Sequence, residues 1–249
     1  MDISIVIPAF NESQKIGRDV EAAASFFGEA GLEGEIIVVD DGSSDDTVEA
    51  ARRANIPPSV KKVVLRLEKN SGKGAAVKRG VLESKGEVVL YADSGTCIPY
   101  ANALPVIKRI AAGELDLGLA SRRLKETVIR RNQPLKRRMI SRLFHRAAIL
   151  IAGLPRWISD SQCGFKVYRG DVARELYAGL VTSGFLFELE IILKAIRRGL
   201  RIEEFPVEWT CDLDTRLRPS AHAKNVVKEL FQIRTLMKES RGRSKISKS

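Results

Sequence analysis

The sequence predicts an α/β domain: a mostly parallel, Rossmann-like sheet with helices on both faces and a C-terminal helical elaboration. Three observations carry this reading. Apolar runs of strand length alternate with helix-period segments through the first 120 residues. Parallel strands need such helical crossovers, and the crossovers cover both faces of the sheet. The alternation then stops at Ser121, where a basic segment begins.

The elements follow in order. Ile3 to Ile7 is an apolar strand ended by Pro8, and Ser13 to Ala30 is a helix with Ile16, Val20, Ala23, Ala24 and Phe27 on one face. Ile36 to Val39 is the second strand and Asp45 to Ala54 a helix. Ser43 or Ser44 is a candidate N-cap there, with Asp45 and Asp46 favoured in the first turn. Lys62 to Leu67, Val88 to Ala92 and Leu115 to Ala120 complete the strands of this half. Gly72 to Ser84 and Asn102 to Ala112 are the helices between them. Beyond Ser121 come a basic loop, a helix from Leu135 to Gly153, and a turn-rich loop from Pro155 to Gly164. A short strand, Phe165 to Tyr168, a helix, Leu186 to Arg198, a strand, Ile202 to Trp209, and a last helix, Pro219 to Lys238, follow. No internal repeat or Pro/Gly-rich linker interrupts the chain. The organisation expected is one domain over 1–238, divided near residue 120, with a disordered basic tail at 239–249.

Composition narrows the function. A hydrophobic content of 44% supports a full core. Cys97, Cys163 and Cys211 are too few and too scattered for a disulfide framework or a zinc site, so reduced thiols are expected. The longest apolar run, Ala147 to Leu154, is far short of the roughly 20 residues of a spanning helix. No basic n-region precedes the first strand, so no signal peptide is expected. The net charge of +11 is concentrated. Between Ser121 and Arg146 ten basic residues are opposed by Glu126 alone. Such a block calls for a polyanionic partner: nucleic acid, anionic lipid or a phosphorylated ligand. Only Phe144 is aromatic within it, which argues against nucleic acid.

Ligands of open α/β sheets bind beyond the carboxyl ends of the strands. Four loops lie there: Pro8 to Glu12, Asp40-Asp41, Asn70 to Gly74, and Tyr91-Ala92-Asp93. Adjacent carboxylates such as Asp40 and Asp41 need a cation or a hydrogen-bond donor; a base N–H, a ribose hydroxyl or a metal would serve. A P-loop is excluded because Gly72-Lys73 is followed by Gly74 and Leu67 stands where the first glycine should be. A dinucleotide fingerprint is excluded because Pro8 to Glu12 contains no glycine.

Ile7-Pro8-Ala9-Phe10-Asn11-Glu12, Val39-Asp40-Asp41-Gly42-Ser43-Ser44-Asp45-Asp46-Thr47 and Asn70-Ser71-Gly72-Lys73-Gly74 resemble the nucleotide-sugar motifs of inverting family-two glycosyltransferases of the GT-A fold. Ser121-Arg122-Arg123, Asp160-Ser161-Gln162-Cys163-Gly164-Phe165-Lys166, Phe187-Glu188-Leu189-Glu190 and Val207-Glu208-Trp209-Thr210 narrow the resemblance to dolichyl-phosphate β-glucosyltransferases and their prokaryotic polyprenyl-phosphate relatives. It covers about residues 2 to 236.

The resemblance implies a nucleotide-sugar half, 1–120, an acceptor half, 121–238, and a set of roles. Pro8, Ala9, Asn11 and Glu12 frame uridine and ribose. Asp40, with Asp41 beside it, faces the uracil. Lys73 lies near the base or phosphate. Arg122 meets the diphosphate or the acceptor phosphate, Asp160 and Gln162 lie by the sugar, and Arg216 holds a phosphate. Glu190 completes the substrate set. Asp93, after Ala92, matches the last carboxylate of an Asp-x-Asp motif and would ligate Mg²⁺ or Mn²⁺. The chain departs from the family's Asp-Ala-Asp at Tyr91, which is expected to pack or to bond to the ribose. One carboxylate plus phosphate oxygens can still satisfy Mg²⁺. The implied reaction is inverting hexose transfer, glucose from UDP-glucose foremost, to a polyprenyl phosphate. Asp93, Asp160 and Arg122 are the implied catalytic residues. A soluble or polysaccharide acceptor is the alternative, and a weakened nucleotide-sugar sensor a further one. Leu143, Ala147, Leu150 and Ile151 follow helical spacing among arginines, as expected of a helix lying on an anionic membrane. The expected location is the cytoplasmic membrane face.

Overall fold

A computed structural model describes residues 2–212 and 219–246, with side chains over 2–212 and 225–238. The strands are β1 (Asp2–Ala9), β2 (Glu33–Asp40), β3 (Lys61–Arg66), β4 (Val88–Ala92), β5 (Leu117–Ser121), β6 (Val128–Arg131), β7 (Phe165–Arg169), β8 (Ile202–Pro206) and β9 (Glu208–Thr210). The helices are α1 (Ile16–Ala30), α2 (Thr47–Arg53), α3 (Lys73–Glu83), α4 (Leu104–Ala111), α5 (Leu135–Ala147), α6 (Gly170–Ala178), α7 (Phe187–Arg197) and α8 (Pro219–Ile246).

Seven strands form one sheet in the order β3-β2-β1-β4-β7-β5-β8. All neighbours run parallel except β7, which is antiparallel to both β4 and β5. Period-two alternation sends Ile3, Ile5 and Ile7 of β1 to one face and Val6 to the other. The first face packs on α1 and the Tyr100 segment; the second packs on α3, α6 and α7. Each fully buried isoleucine contributes about 1.5–3 kcal/mol, so the central strands anchor the fold.

The second half differs from expectation in several places. Ile202 to Trp209 is not one strand. The chain leaves the large sheet after Pro206 and pairs again as β9 with β6, in a separate two-stranded ribbon. Proline lacks the amide needed to continue the ladder. β6 lies within the expected basic loop, and α6 follows β7 where no helix was expected. The helix begun at Leu135 ends its regular part at Ala147 and continues as a π-helical turn, Ala148–Ala152, closed by left-handed Gly153. The last helix continues past Lys238 to Ile246, into the expected tail, whose final residues 247–249 lie outside the described set. Among the described residues no helix is long and apolar enough to cross a membrane.

Candidate active site

The parallel strands deliver their loops to one edge, where a cavity of about 710 Å³ opens. Pro8, Ala9, Glu12, Asp41, Lys73 and Asp93 line it from the sheet side. Residues 181–185 and Asn225, Val226, Lys228, Glu229 and Gln232 of α8 line it opposite. A second cavity, about 490 Å³, lies at the other edge around Asp2, Gly34 and Lys61, remote from these loops.

Short polar bonds knit the loops together. Asn11 has φ of 54° and accepts the Ser44 N–H at 2.9 Å, while its own N–H donates to Ser43 Oγ at 2.8 Å. The Glu12 N–H donates to Thr47 Oγ1 at 2.8 Å. Asp41 accepts from the N–H groups of Ser71 (2.7 Å) and Gly72 (2.9 Å), pinning the third loop. Burial raises the Asp41 carboxyl above its ordinary value despite those donors. Gly72 has φ of +100°, and a Cβ there would fall 2.5 Å from the Ser183 carbonyl oxygen. The two walls of the cavity meet that closely.

Asp40 is fully buried and does not line the cavity. Its Oδ2 accepts the Ser43 N–H at 3.1 Å and lies 3.5 Å from Arg66 Nε. Its Oδ1 has no hydrogen-bond donor among the described residues.

At the floor of the cavity, Lys73 Nζ sits 2.8 Å from Asp93 Oδ1 and 2.9 Å from Oδ2. The Tyr91 hydroxyl donates to Asp93 Oδ1 at 2.6 Å and lies 3.1 Å from Glu188 Oε1. Glu188 is buried, 3.8 Å from Lys73 and 3.4 Å from the wholly buried Lys166. Lys166 also donates to the Cys163 carbonyl at 2.6 Å. Burial pulls the Lys73 ammonium down, but Asp93 and Glu188 more than offset it and the net shift is upward. Burial, then the two carboxylates, push Tyr91 well above an ordinary phenol, so it stays neutral. The Asp93 amide donates to the Gly164 carbonyl at 2.8 Å, and a Cβ on Gly164 would lie 1.9 Å from Asp93 Oδ2. Only glycine admits that approach.

Glu188 and Lys166 were missed as site residues, and Tyr91, expected to pack or to bond to the ribose, packs on Phe187 and bonds to Asp93 and Glu188. The available signal was Lys166 itself, a lysine between Phe165 and Val167 in an otherwise apolar strand. Such a charge must find a buried partner.

Several expected ligands are placed elsewhere. Arg122 and Asp160 pair with each other, Nε to Oδ2 at 2.6 Å and one terminal nitrogen to Oδ1 at 2.8 Å. The guanidinium lies 5.5 Å from the Trp209 ring centroid and donates to the Gln162 carbonyl. Burial would raise Asp160, but Arg122 reverses this and holds the carboxyl well below the usual range. Neither member lines the cavity, and nor does Gln162. Glu190 does not line the cavity either. It is fully buried and accepts from the Val181 and Thr182 N–H groups (3.0 and 2.8 Å) and the Thr182 hydroxyl (2.7 Å). It therefore shapes the loop that lines the cavity. Ala92 is buried at the end of β4 and sets the direction of Asp93. Arg216 lies outside the described residues.

This sheet, with its crevice of strand-end loops, is the GT-A fold of a nucleotide-sugar-dependent glycosyltransferase. The chain belongs to glycosyl transferase family 2, whose family model matches residues 4–177. It is 32% identical over 244 residues to a dolichyl-phosphate beta-glucosyltransferase of Drosophila melanogaster, covering 94% of this chain and 74% of that one. It is 31% identical over 225 residues to the enzyme of the same name from Saccharomyces cerevisiae, covering 83% and 66%. Among solved structures it resembles glucosyl-3-phosphoglycerate synthase from Mycobacterium tuberculosis in complex with Mn²⁺ and UDP-glucose. The TM-score there is 0.69 at 18% identity, with 95% of this chain and 78% of that chain covered.

The residues present do not fit a divalent ion as they are arranged. No group of three His, Cys, Asp or Glu that could hold one occurs among the described residues, so an ion here would depend on Asp93 and on substrate phosphate oxygens. Asp93, the expected ligand, already holds an ammonium on both oxygens. Two unit charges 4 Å apart repel by about 4 kcal/mol at an effective dielectric of 20, and a divalent ion beside Lys73 doubles that.

Proposed function

We propose that this chain transfers glucose from UDP-glucose, with inversion at C1, to the phosphate of a polyprenyl lipid presented at a membrane surface. The observation that carries the acceptor half is the outer face of α5. Leu135, Met139 and Leu143 recur every fourth residue and are 75%, 69% and 69% exposed; Leu150 beyond them is 82% exposed. A soluble domain seldom leaves such a ridge bare. Lys136, Arg138, Arg142 and Arg146 flank it, and the helix carries no acid. An apolar ridge edged by cations suits an anionic lipid surface, each nearby cation adding about 1 kcal/mol. The helix also reaches the crevice. Arg137 donates to the carbonyl of Asp212, a cavity residue, at 3.4 Å, and Arg123 donates to the Ser141 hydroxyl at 3.2 Å. Its relatives' names support the lipid acceptor.

In this reading the acceptor phosphate oxygen attacks C1 of the sugar. The bond from C1 to the β-phosphate oxygen breaks, and its electron pair leaves with UDP. A phosphate monoester has a second pKa of about 6, so the acceptor is largely ionised near neutral pH and no strong protein base is needed. Asp160, held well below the usual carboxylate range by Arg122, is poorly suited to be one. The Arg122–Asp160 pair instead fixes the Asp160-to-Gly164 loop against Asp93. Pro8, Ala9 and Glu12 wall the nucleoside, with Asp41 beside them in the same cavity lining. Lys73 meets the diphosphate charge.

Labelled UDP-glucose and polyprenyl phosphate in anionic vesicles should yield a labelled lipid extractable into organic solvent. Failure to form product with any nucleotide sugar would end this reading. A soluble or polysaccharide acceptor is the second reading, favoured by the absence of a membrane-spanning helix among the described residues. Vesicle flotation separates the two, since an enzyme for soluble acceptors stays unbound.

A further inference from the structure

We infer that Lys73 takes the place of a divalent cation in this chain, so that its ammonium meets the departing diphosphate and nucleotide-sugar binding needs no metal ion. This rests on the donor reading above.

Three observations carry it. The first is position. The ammonium lies within 2.9 Å of both Asp93 oxygens, the two atoms a metal would take. It also faces the Tyr91 and Phe187 rings, 5.6 and 5.9 Å from their centroids, which favours a cation at that point.

The second is charge balance. Asp93 and Glu188 carry two negative charges, and Lys73 and Lys166 two positive ones. Tyr91 contributes a hydroxyl and no charge. The cluster is neutral, so before the nucleotide sugar enters, a divalent ion finds no excess negative charge there to neutralise.

The third is the missing second ligand. A carboxylate two residues from Asp93 is lacking on both sides. Two residues before it, Tyr91 is fully buried and turned toward Glu188. Two residues after it stands Gly95, with φ of +101°; a Cβ there would lie 3.0 Å from Asp212 Oδ2. Asp212, a carboxylate beside that gap, is itself 2.8 Å from Lys15 Nζ. Asp93 and Asp212 thus each carry a lysine, and Asp19, the third aspartate of this corner, is taken up by the Gly95 N–H at 2.7 Å and the Thr96 hydroxyl.

The chemistry closes without another partner. When the bond from C1 to the β-phosphate oxygen breaks, its electron pair goes to that oxygen. Lys73 donates an N–H hydrogen bond and a positive charge to the diphosphate and keeps its proton. Asp93, itself bonded by the Tyr91 hydroxyl, holds the ammonium in place.

Calorimetric titration of UDP-glucose into the full chain, in EDTA and then in Mn²⁺, tests this without reference to turnover. Wild type should bind with affinities within about twofold in the two buffers, well inside the tenfold that 1.4 kcal/mol represents. Lys73→Met should lose about tenfold in EDTA and regain part of it in Mn²⁺, because Asp93 is then free to ligate. Wild-type binding that vanishes in EDTA and returns with Mn²⁺ overturns the inference and leaves the donor reading intact. Undiminished binding by Lys73→Met in EDTA also overturns it. Binding in neither buffer defeats the donor reading itself, and this inference with it. Should Lys73→Met not fold, Lys73→Gln permits the same comparison, and the wild-type pair of titrations decides alone.

Discussion

Arg122 grips Asp160 through two parallel N–H···O bonds, of 2.6 and 2.8 Å, with Asp160 almost wholly out of solvent. Asp160→Asn leaves a guanidinium that is only 18% exposed without its counter-charge. Breaking such a pair from one side costs about 3–5 kcal/mol. Urea denaturation should show that loss. The double change Arg122→Met with Asp160→Asn should recover part of it. The pH dependence has a defined sign. The folded carboxyl is depressed, so its contribution is complete above its unfolded pKa of about 3.9 and is lost as pH falls toward the lower folded value. The Asn variant should lack this component of acid sensitivity.

Tyr91→Phe removes the hydroxyl that steadies Asp93. A net hydrogen bond is worth about 0.5–1.5 kcal/mol, more when it is made to a charged group. The variant should melt only a few degrees lower, because the ring still packs edge-on against Phe187 at 5.7 Å. Its kcat should fall about tenfold with KM for the donor little changed, as expected where alignment of Lys73 matters most in the transition state. Steady-state kinetics with UDP-glucose would check this, and an unchanged kcat would show that Tyr91 does not position the pair.

Glu190→Gln keeps the shape but removes the charge that receives the Val181 and Thr182 amides and Lys194. The expected outcome is a stability loss of about 2 kcal/mol and a higher donor KM, since residues 181–185 wall the cavity. Thermal melts and donor titrations separate the two effects. A variant with wild-type stability and a lost kcat would make Glu190 a substrate ligand after all.

Met139→Glu with Leu143→Glu places two acids on the exposed ridge of α5. Neither side chain is buried, so melting temperature and UDP-glucose affinity should match wild type. Flotation with anionic vesicles should drop several-fold, and lipid glucosylation with it. Retained flotation would place the lipid-facing surface elsewhere.

The first half of the fold was legible because its strands read as apolar runs and its helices as periodic stripes; β1 and α1 fall close to where their patterns put them. The second half was harder for identifiable reasons. β6 is a four-residue strand with two arginines, so charge masked its pairing. β8 and β9 are separated by a change of sheet at Pro206 that no periodicity announces. For the site, the loops from Pro8 to Asp93 were legible from their position at strand ends. The partnership of each residue was not. Arg122, Asp160 and Glu190 were expected to meet the substrate, whereas here their charges are spent on one another or on backbone amides. Sequence shows that a carboxylate must be satisfied and is silent on whether protein or ligand satisfies it.

The reversed strand β7 has one more consequence. Lys166 stands opposite Tyr91 on β4 and Leu119 on β5, while Phe165 and Val167 point into the apolar layer on the other side of the sheet. A slip of one residue would turn every side chain of β7 over. The lysine would then enter a layer of isoleucines and phenylalanines, and Phe165 or Val167 would meet Glu188. The buried ion pair thus acts as a registration mark: it makes the misaligned sheet far more costly than the aligned one, in the strand that separates the two parallel blocks.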